Sequence, residues 1–348
     1  MSIPPLATNL IGSFPLSFTG QNFTRAIDDQ VELGLDYVSY PQLADMNLMF
    51  LEPLVDGETL RQEDGEFIVS EGFDPVVTKS VKNWVDDARE HLRKKKGVIP
   101  LKSCVTGPFT LAASLHVEGL ASRSFPGAYI EMIVEHPWLL EKLTRYVYKV
   151  CLNYSSVSSM VSVDEPYLSV IVGRRKNLFE LGMKGPEAGD LVLETLEGAL
   201  RGVKRTSSIH VCGGIGSQLS EILLETSSDI LSHEFSEMTR NFESYAPSDP
   251  EKHSKKLSVG VVTTSPTEDP EGIEPRSLVE KRIEFAIDRY GIDNVLLSPD
   301  CGFRPLGNLL GEEEGHQLAL GKIGTLVNAR KNIGIGHGVL TDEKSSED

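Results

Sequence analysis

The feature that most constrains this chain is a recurrence: a short apolar run rich in β-branched residues, a polar or Gly/Pro break, then a stretch with helical spacing. It occurs eight times, at TNLIGSFP (8–15), LDYVSYPQ (35–42), PLKSCVTGP (100–108), SSMVSVDEP (158–166), SSIHVCGG (207–214), DILSHEFSE (229–237), LSVGVVTTS (257–265) and NVLLSPDCG (294–302). Such spacing marks βα units, because parallel strands need a crossover of a dozen or more residues between them. Eight units predict an α/β chain closed into a (β/α)8 TIM barrel, and 348 residues fit one such barrel. Helices are expected at FTRAIDDQVELG (23–34), PWLLEKLTRYVYKVCLNYSS (137–156), GDLVLETLEGALRGVKR (189–205) and RSLVEKRIEFAIDRYG (276–291). In the last, Leu278, Ile283, Phe285, Ala286 and Ile287 are read as the apolar stripe.

Charge narrows the partners. With 34 basic against 51 acidic residues the net charge is −17, which repels phosphate backbones and anionic membranes and leaves small molecules or a basic partner. The basic run REHLRKKKG (89–97) reads as a solvated helix end. The opening MSIPPLATNLIGSFP lacks a leader pattern and no run has the length of a membrane span, so a cytoplasmic protein is expected. Four cysteines, Cys104, Cys151, Cys212 and Cys301, are too sparse for a disulfide framework and are read as thiols. The barrel is expected to span 1–338 as one domain, with an insertion at 43–99 between the second and third strands that holds a small hairpin near GEFIVSEGF (65–73). The acidic tail at 339–348 is read as disordered.

In an α/β barrel the reacting groups sit at the carboxyl ends of the strands, where the loops converge on one mouth. Here those ends carry Ile11-Gly12-Ser13, Gln42, Asp164-Glu165-Pro166, His210 with Cys212, Glu234, and Asp300-Cys301-Gly302. His210 and Cys212 stand at i, i+2, so on an extended strand both side chains leave the same face. Singly, a strand cysteine more often fills a core, and a lone histidine is more often a satisfied polar residue; Cys104 and Cys151 keep that reading. As a set at strand ends, His210, Cys212, Glu234 and Cys301 offer N, S, O and S donors that suit tetrahedral Zn2+. His233 competes with its neighbour Glu234, but strand alternation sends the two to opposite faces.

Two cysteinates largely neutralise Zn2+, leaving a centre poor at activating water but able to bind an incoming thiol and lower its pKa. That chemistry suits alkyl transfer to sulfur. Asp164 is the catalytic and substrate-binding carboxylate of the set, placed to hold an ammonium group on a thiol substrate; a helix cap or a barrel salt bridge is the alternative for it.

The ordered set TNLIGSFP, QVELGLD, TGPFT, VDEP, HVC, HEFSE and SPDCGFR, over about residues 7–305, resembles the catalytic C-terminal barrel of the cobalamin-independent methionine synthase family, and more closely its short core type of archaea and some anaerobic bacteria. The resemblance implies methionine formation from homocysteine. It also implies His210, Cys212, Glu234 and Cys301 as zinc ligands, with Glu234 the one that homocysteine sulfur displaces. Ile11, Gly12, Ser13 and Asp164 match positions that bind the amino acid part of the substrate. Two positions depart from the pattern: Gln42, in Tyr40-Pro41-Gln42, is expected to bind substrate but stands where folate-using members carry the Glu of His-Gly-Glu, and Thr264 stands where they carry a proton-donating His. The large N-terminal barrel of the folate enzymes has no counterpart in this chain. A corrinoid leaving group departs without a proton, so the expected donor is methylcobalamin or a methylated corrinoid protein rather than methyltetrahydrofolate. Other readings are the same chemistry on another thiol such as coenzyme M, a folate-dependent methionine synthase, a non-catalytic zinc-bearing barrel that binds a corrinoid or redox partner, and a decarboxylase of the uroporphyrinogen type. The last wants arginines in a mouth that reads as poor in them.

Overall fold

The structure, a computed structural model, describes residues 3–119, 135–172 and 186–341. Within them lie the strands β1 (Val38–Ser39), β2 (Leu60–Glu63), β3 (Glu66–Val69), β4 (Leu101–Thr106), β5 (Leu115–Val117), β6 (Met160–Asp164), β7 (Thr206–Val211), β8 (Ile230–His233), β9 (Lys256–Val262) and β10 (Val295–Pro299). Seven of them pair in parallel in the order β1-β4-β6-β7-β8-β9-β10. The sheet curls until its edges meet across the N-terminal segment. Asn9 donates to Leu297 O (3.0 Å) and Leu297 N to Ala7 O (2.9 Å) on one side, while Tyr37 N donates to Thr8 O (3.0 Å) and Gln42 N to Gly12 O (2.9 Å) on the other.

The eighth member of the barrel is thus the segment around residues 8–13, held by isolated bridges, Thr8 to Leu297 and Ser13 to Gln42, rather than by a continuous ladder. Its neighbour β1 is also shorter than the 35–42 expected from sequence. Pro41 has no N–H to give to a ladder, and Gly12 at φ 117° turns the facing chain out of extended geometry.

Alternation along the strands stacks the barrel interior in layers. Ala7, Tyr37, Met160, Ile230 and Leu296 form a separate apolar cluster. Two residues further along each chain stand Asn9, Ser39, Ser162, Ser232 and Ser298, all buried. Two further again come Ile11, Asp164, Glu234 and Asp300, and on β7 the same phase gives Ser208, His210 and Cys212. Small hydroxyls in the middle layer leave room for Lys102, fully buried, whose ammonium donates to Asn9 Oδ1 (2.8 Å) and Leu10 O (2.7 Å). The core proper lies outside this interior, between the sheet and its surrounding helices.

Those helices form where the sequence places them, at Gly20–Glu32, Pro137–Tyr154, Pro186–Leu200 and Arg276–Tyr290. The stripe on the last differs from expectation. Val279, Ile283, Ala286, Ile287 and Tyr290 are the buried set, spaced i, i+4, i+7, i+8, i+11, whereas Leu278 and Phe285 are 40 % and 52 % exposed. Phe285 instead meets Phe242 edge-on, ring centroids 4.8 Å apart. A 25-residue helix, Glu312–Gly336, had no sequence-based expectation; it carries fully buried Lys322 and His316.

The insertion forms an antiparallel hairpin of β2 and β3, and β5 adds to β3 in parallel. Its turn is Asp64-Gly65, both at positive φ (51° and 86°), the geometry a two-residue hairpin loop requires. The basic run ends the helix Lys79–Arg93, where Lys95 pairs with Asp28 at 2.6 Å. Among the described residues no helix is long and apolar enough to cross a membrane. Residues 342–348 of the acidic tail lie outside the described residues.

Candidate active site

Strand β7 delivers His210 and Cys212 to the mouth, and the turn after β10 delivers Cys301. His210 Nε2 lies 2.9 Å from Cys212 Sγ, and Cys212 Sγ lies 2.9 Å from Cys301 Sγ. The three donor atoms lie within 4.8 Å of one another, the one such cluster among the described residues. His210 Nδ1 is 3.2 Å from the Ser232 hydroxyl on the next strand. With Nδ1 engaged there, Nε2 is the free ligand atom, the usual way a protein orients an imidazole toward a metal. Burial, with the Lys102 charge and His233 adding to it, holds the His210 pKa well below its ordinary value, so the ring is neutral and available as a donor.

The Cys212 sulfur sits in surroundings hostile to an uncompensated anion. The Cys301 thiol beside it, burial, and the Glu234 and Asp164 carboxylates hold the Cys212 pKa well above the ordinary thiol value. A divalent cation at this point would reverse that penalty, since a coordinated thiol ionises outright. The donor set, two sulfurs and a neutral imidazole around one point, fits Zn2+.

Glu234 stands beside this cluster rather than within it. Its carboxylate interacts with the Cys212 thiol, and burial raises its pKa. The backbone that carries it is pinned twice. Asn241 donates to Glu234 O at 2.6 Å, and Asp300 accepts the N–H groups of Phe235, Ser236 and Glu237 at 2.9, 2.9 and 3.0 Å. Asp300, preceding Cys301, therefore ties the β8 loop to the β10 turn. Burial still pushes its pKa up to about 7 against those three bonds. His233 turns away from the mouth, its Nδ1 at Val211 O (3.1 Å) and its Nε2 at the Tyr245 hydroxyl (2.8 Å).

Asp164 lies buried at the inner end of β6, where Ser162 donates to it at 2.7 Å. Burial pushes its pKa up to about 7, against the Lys102 charge and the Ser162 and Cys104 hydrogen bonds. The capping role considered for it belongs to Glu165, which accepts from Phe109 N and Thr110 N (both 2.9 Å) and the Thr110 hydroxyl (2.6 Å). Cys104 has partners that spacing alone did not reveal: it donates to Ile11 O at 2.9 Å and bonds to Asp164. Cys151 is buried on a helix.

The Ile11-Gly12-Ser13 turn is wedged between β4 and the Cys301 turn. A Cβ on Gly12 would meet Cys104 Sγ at 3.2 Å and Gln42 Oε1 at 3.3 Å. Ser13 O accepts Phe303 N at 3.0 Å, and the Ser13 hydroxyl accepts Arg304 N at 3.4 Å. Arg304, in the turn after Cys301, donates through Nη1 to Leu43 O at 2.9 Å. Thr264 is half-buried in the loop after β9, next to Thr263, whose N–H donates to the buried Glu274 at 2.5 Å. The residues that sequence reasoning missed here, Ser232, Asn241 and Arg304, act on neighbours in space rather than in sequence. Asp300, at a strand end beside a ligand candidate, carried a local signal.

No family model matches the chain. It is 24 % identical to the methionine synthase of Methanocaldococcus jannaschii over 356 aligned positions, covering 95 % of this chain and all of that protein. It is 29 % identical to the methionine synthase of Methanothermobacter marburgensis over 287, covering 81 % of each. Among solved structures, a B12-independent methionine synthase from a Shewanella species superposes with TM-score 0.69 at 18 % identity, over 97 % of this chain and all of that one. A methyltransferase from Methanosarcina mazei gives 0.61 at 17 %, over 90 % and 85 %. The chain is a homologue of the archaeal proteins named methionine synthase, built on the barrel fold that the B12-independent methionine synthases share.

Proposed function

We propose that the chain is a zinc-dependent methyltransferase that makes L-methionine from L-homocysteine, with methylcobalamin or a methylated corrinoid protein as donor. The observation that carries this reading is the convergence of His210 Nε2, Cys212 Sγ and Cys301 Sγ in the same barrel mouth as the buried carboxylate Asp164. His210, Cys212, Cys301 and Glu234 would hold Zn2+, with Glu234, which stands outside the three-atom cluster, the ligand that yields to the substrate sulfur. The metal supplies the positive charge that keeps the substrate sulfur a thiolate at neutral pH. Such thiol ligands need a reducing compartment, in keeping with a cytoplasmic protein.

The remaining work falls to the protein's own groups. Asp164 receives the substrate ammonium, and that charge draws its pKa down from about 7 so that the carboxylate is ionised when the acceptor is bound. The Ile11-Gly12-Ser13 turn fixes the amino acid end, which leaves the sulfur aimed out of the mouth for in-line attack. The new S–C bond forms as the donor's Co–C bond breaks, with that electron pair remaining on cobalt. A leaving group of this kind needs no proton, and Thr264 is a side chain without an acid to give.

Purified, zinc-loaded protein with homocysteine, offered methylcobalamin and methyltetrahydrofolate in parallel with methionine measured, tests this. Methionine from methylcobalamin alone is expected. Methionine from the folate alone would overturn the donor assignment, and success only after adding a corrinoid protein would make that protein the donor.

A further inference from the structure

The loop that leaves β9 is tied down by two charges that stand apart from the candidate site. Glu274, at the end of that loop, and Lys322, on the helix Glu312–Gly336, are both buried and pair at 2.8 Å. The other Glu274 oxygen accepts Thr263 N at 2.5 Å, and Lys322 Nζ donates to the Thr263 hydroxyl at 3.2 Å. That hydroxyl donates in turn to Ser265 O, 3.0 Å away. Arg282 adds a second cation, its Nη1 3.5 Å from Glu274 Oε1 while it donates to Val261 O at 2.8 Å. One carboxylate thus joins the two ends of the loop. Burial raises the Glu274 pKa, but the Lys322 and Thr263 hydrogen bonds outweigh it and hold the value below the ordinary one, so the pair is ionised. An apolar pair of similar volume would stabilise a core as well or better. Stability alone therefore does not account for these charges, and the geometry that they impose does.

That geometry turns the loop away from the mouth. Thr267 N bonds to Gly272 O at 3.0 Å and Gly272 N to Asp269 O at 2.8 Å, so the chain doubles back on itself. A Cβ on Gly272 would lie 3.4 Å from Leu318, and a Cβ on Gly321 would run into Ile273. The loop therefore rests on the helix Glu312–Gly336, outside the barrel. Its root stands beside the candidate centre. Strand β9 runs between β8 and β10, the strands that lead into Glu234 and Cys301, and Val262 O accepts Asp300 N at 2.9 Å.

We infer that the buried Glu274–Lys322 pair is a positioning device, which holds the β9 loop back against the helix Glu312–Gly336 and so keeps the zinc side of the mouth clear for a large methyl donor. This rests on the corrinoid-donor reading and deepens it. Both are positioning residues, expected to act on donor access rather than on zinc binding, acceptor binding or the transfer step.

The test is the double variant Glu274→Leu with Lys322→Met in zinc-loaded, full-length protein, which unties the loop without leaving one charge buried alone. Hydrogen exchange over residues 263–275 reads the tie directly: protection there should fall, while the segments around His210, Glu234 and Cys301 keep theirs. Methionine formation from homocysteine is then measured with two donors, methylcobalamin and the much smaller methyl iodide, whose iodide leaves as the S–C bond forms. The KM for methylcobalamin should rise about 5-fold or more, because an untied loop occupies the withdrawn position only part of the time. The enzyme-dependent rate with methyl iodide, the zinc content and the homocysteine affinity should stay at the wild-type level. Thr263→Val, which takes the hydroxyl from Lys322 without removing a charge, should move both readouts the same way by less, and it decides the matter if the double variant does not fold. Unchanged exchange over 263–275 would overturn the tie. Lost protection with an unchanged methylcobalamin KM, or equal losses with both donors, would overturn its bearing on donor access. If the wild-type protein forms methionine from methyl iodide but not from methylcobalamin, the donor reading falls with the access argument, and the exchange result alone decides the tie.

Discussion

At the scale of single residues, the candidate centre depends on side chains that never touch a substrate. Ser232 is the clearest. Its hydroxyl at 3.2 Å from His210 Nδ1 selects the tautomer and ring angle that present Nε2 to the sulfurs. Losing such an outer partner typically costs 10- to 100-fold in metal affinity. Ser232→Ala should therefore weaken zinc binding by about 10-fold or more, read by competition with a chromophoric chelator, while thermal unfolding of the metal-free protein moves little. Unchanged zinc affinity would show that the ring is oriented by packing alone. Burial acts on the same group from the other side, because a ring held neutral is a ligand at pH values where a free histidine is partly protonated.

Individual strands and loops show where the sequence was legible. The period-2 alternation of Ser208-His210-Cys212 and Ile230-Ser232-Glu234 places one phase inside the barrel, which is why strand-end positions could be read directly from the chain. The N-terminal member and β1 were harder, since Gly12 and Pro41 break the ladder that alternation presumes. Phe285 was misplaced because apolarity alone cannot tell a core stripe from a residue bound edge-on by a neighbouring ring. Asp300 was legible as a strand-end group, but its bonds to residues 235–237 and that of Arg304 to Leu43 were not, as they join the turn after β10 to chain segments distant in sequence. Gly260 on β9 shows how tightly these elements fit. A Cβ there would run into Asp300 and come within 3.0 Å of the His233 carbonyl. Gly260→Ala should destabilise the fold by about 1–3 kcal/mol, as overpacking usually does, measured as a lower urea midpoint. It should also lower zinc occupancy, because the displaced group is the one holding residues 235–237. A stable, fully metallated variant would mean that the Asp300 clamp has slack that the geometry does not show.

For the molecule as a whole, closing the barrel means joining the two ends of the chain, and the helix Glu312–Gly336 does this with charge as well as packing. Arg25 pairs with Glu313 at 2.7 Å, Arg330 with Asp36 at 3.0 Å, and fully buried His316 meets Asp29 Oδ2 through Nε2 at 2.7 Å. His316 Nδ1 is buried without a partner, so protonation there would create an unsatisfied donor. Burial outweighs the pull of Asp29 and holds the His316 pKa below its ordinary value. A histidine depressed on folding contributes stability that is present above its unfolded pKa, about 6.5, and lost as pH falls through that value, because the unfolded chain then binds the proton more readily. In metal-free protein, where zinc linkage cannot intrude, the urea midpoint should therefore fall between pH 7.5 and pH 5.5. The fall should be smaller in His316→Gln, which keeps a hydrogen bond to Asp29 within reach but cannot titrate. The difference between the two pH profiles isolates the residue from the molecule's other titrating groups. Parallel profiles would show that the seam between the chain's ends opens without reference to this histidine, and that the ion pairs on its flanks carry the closure.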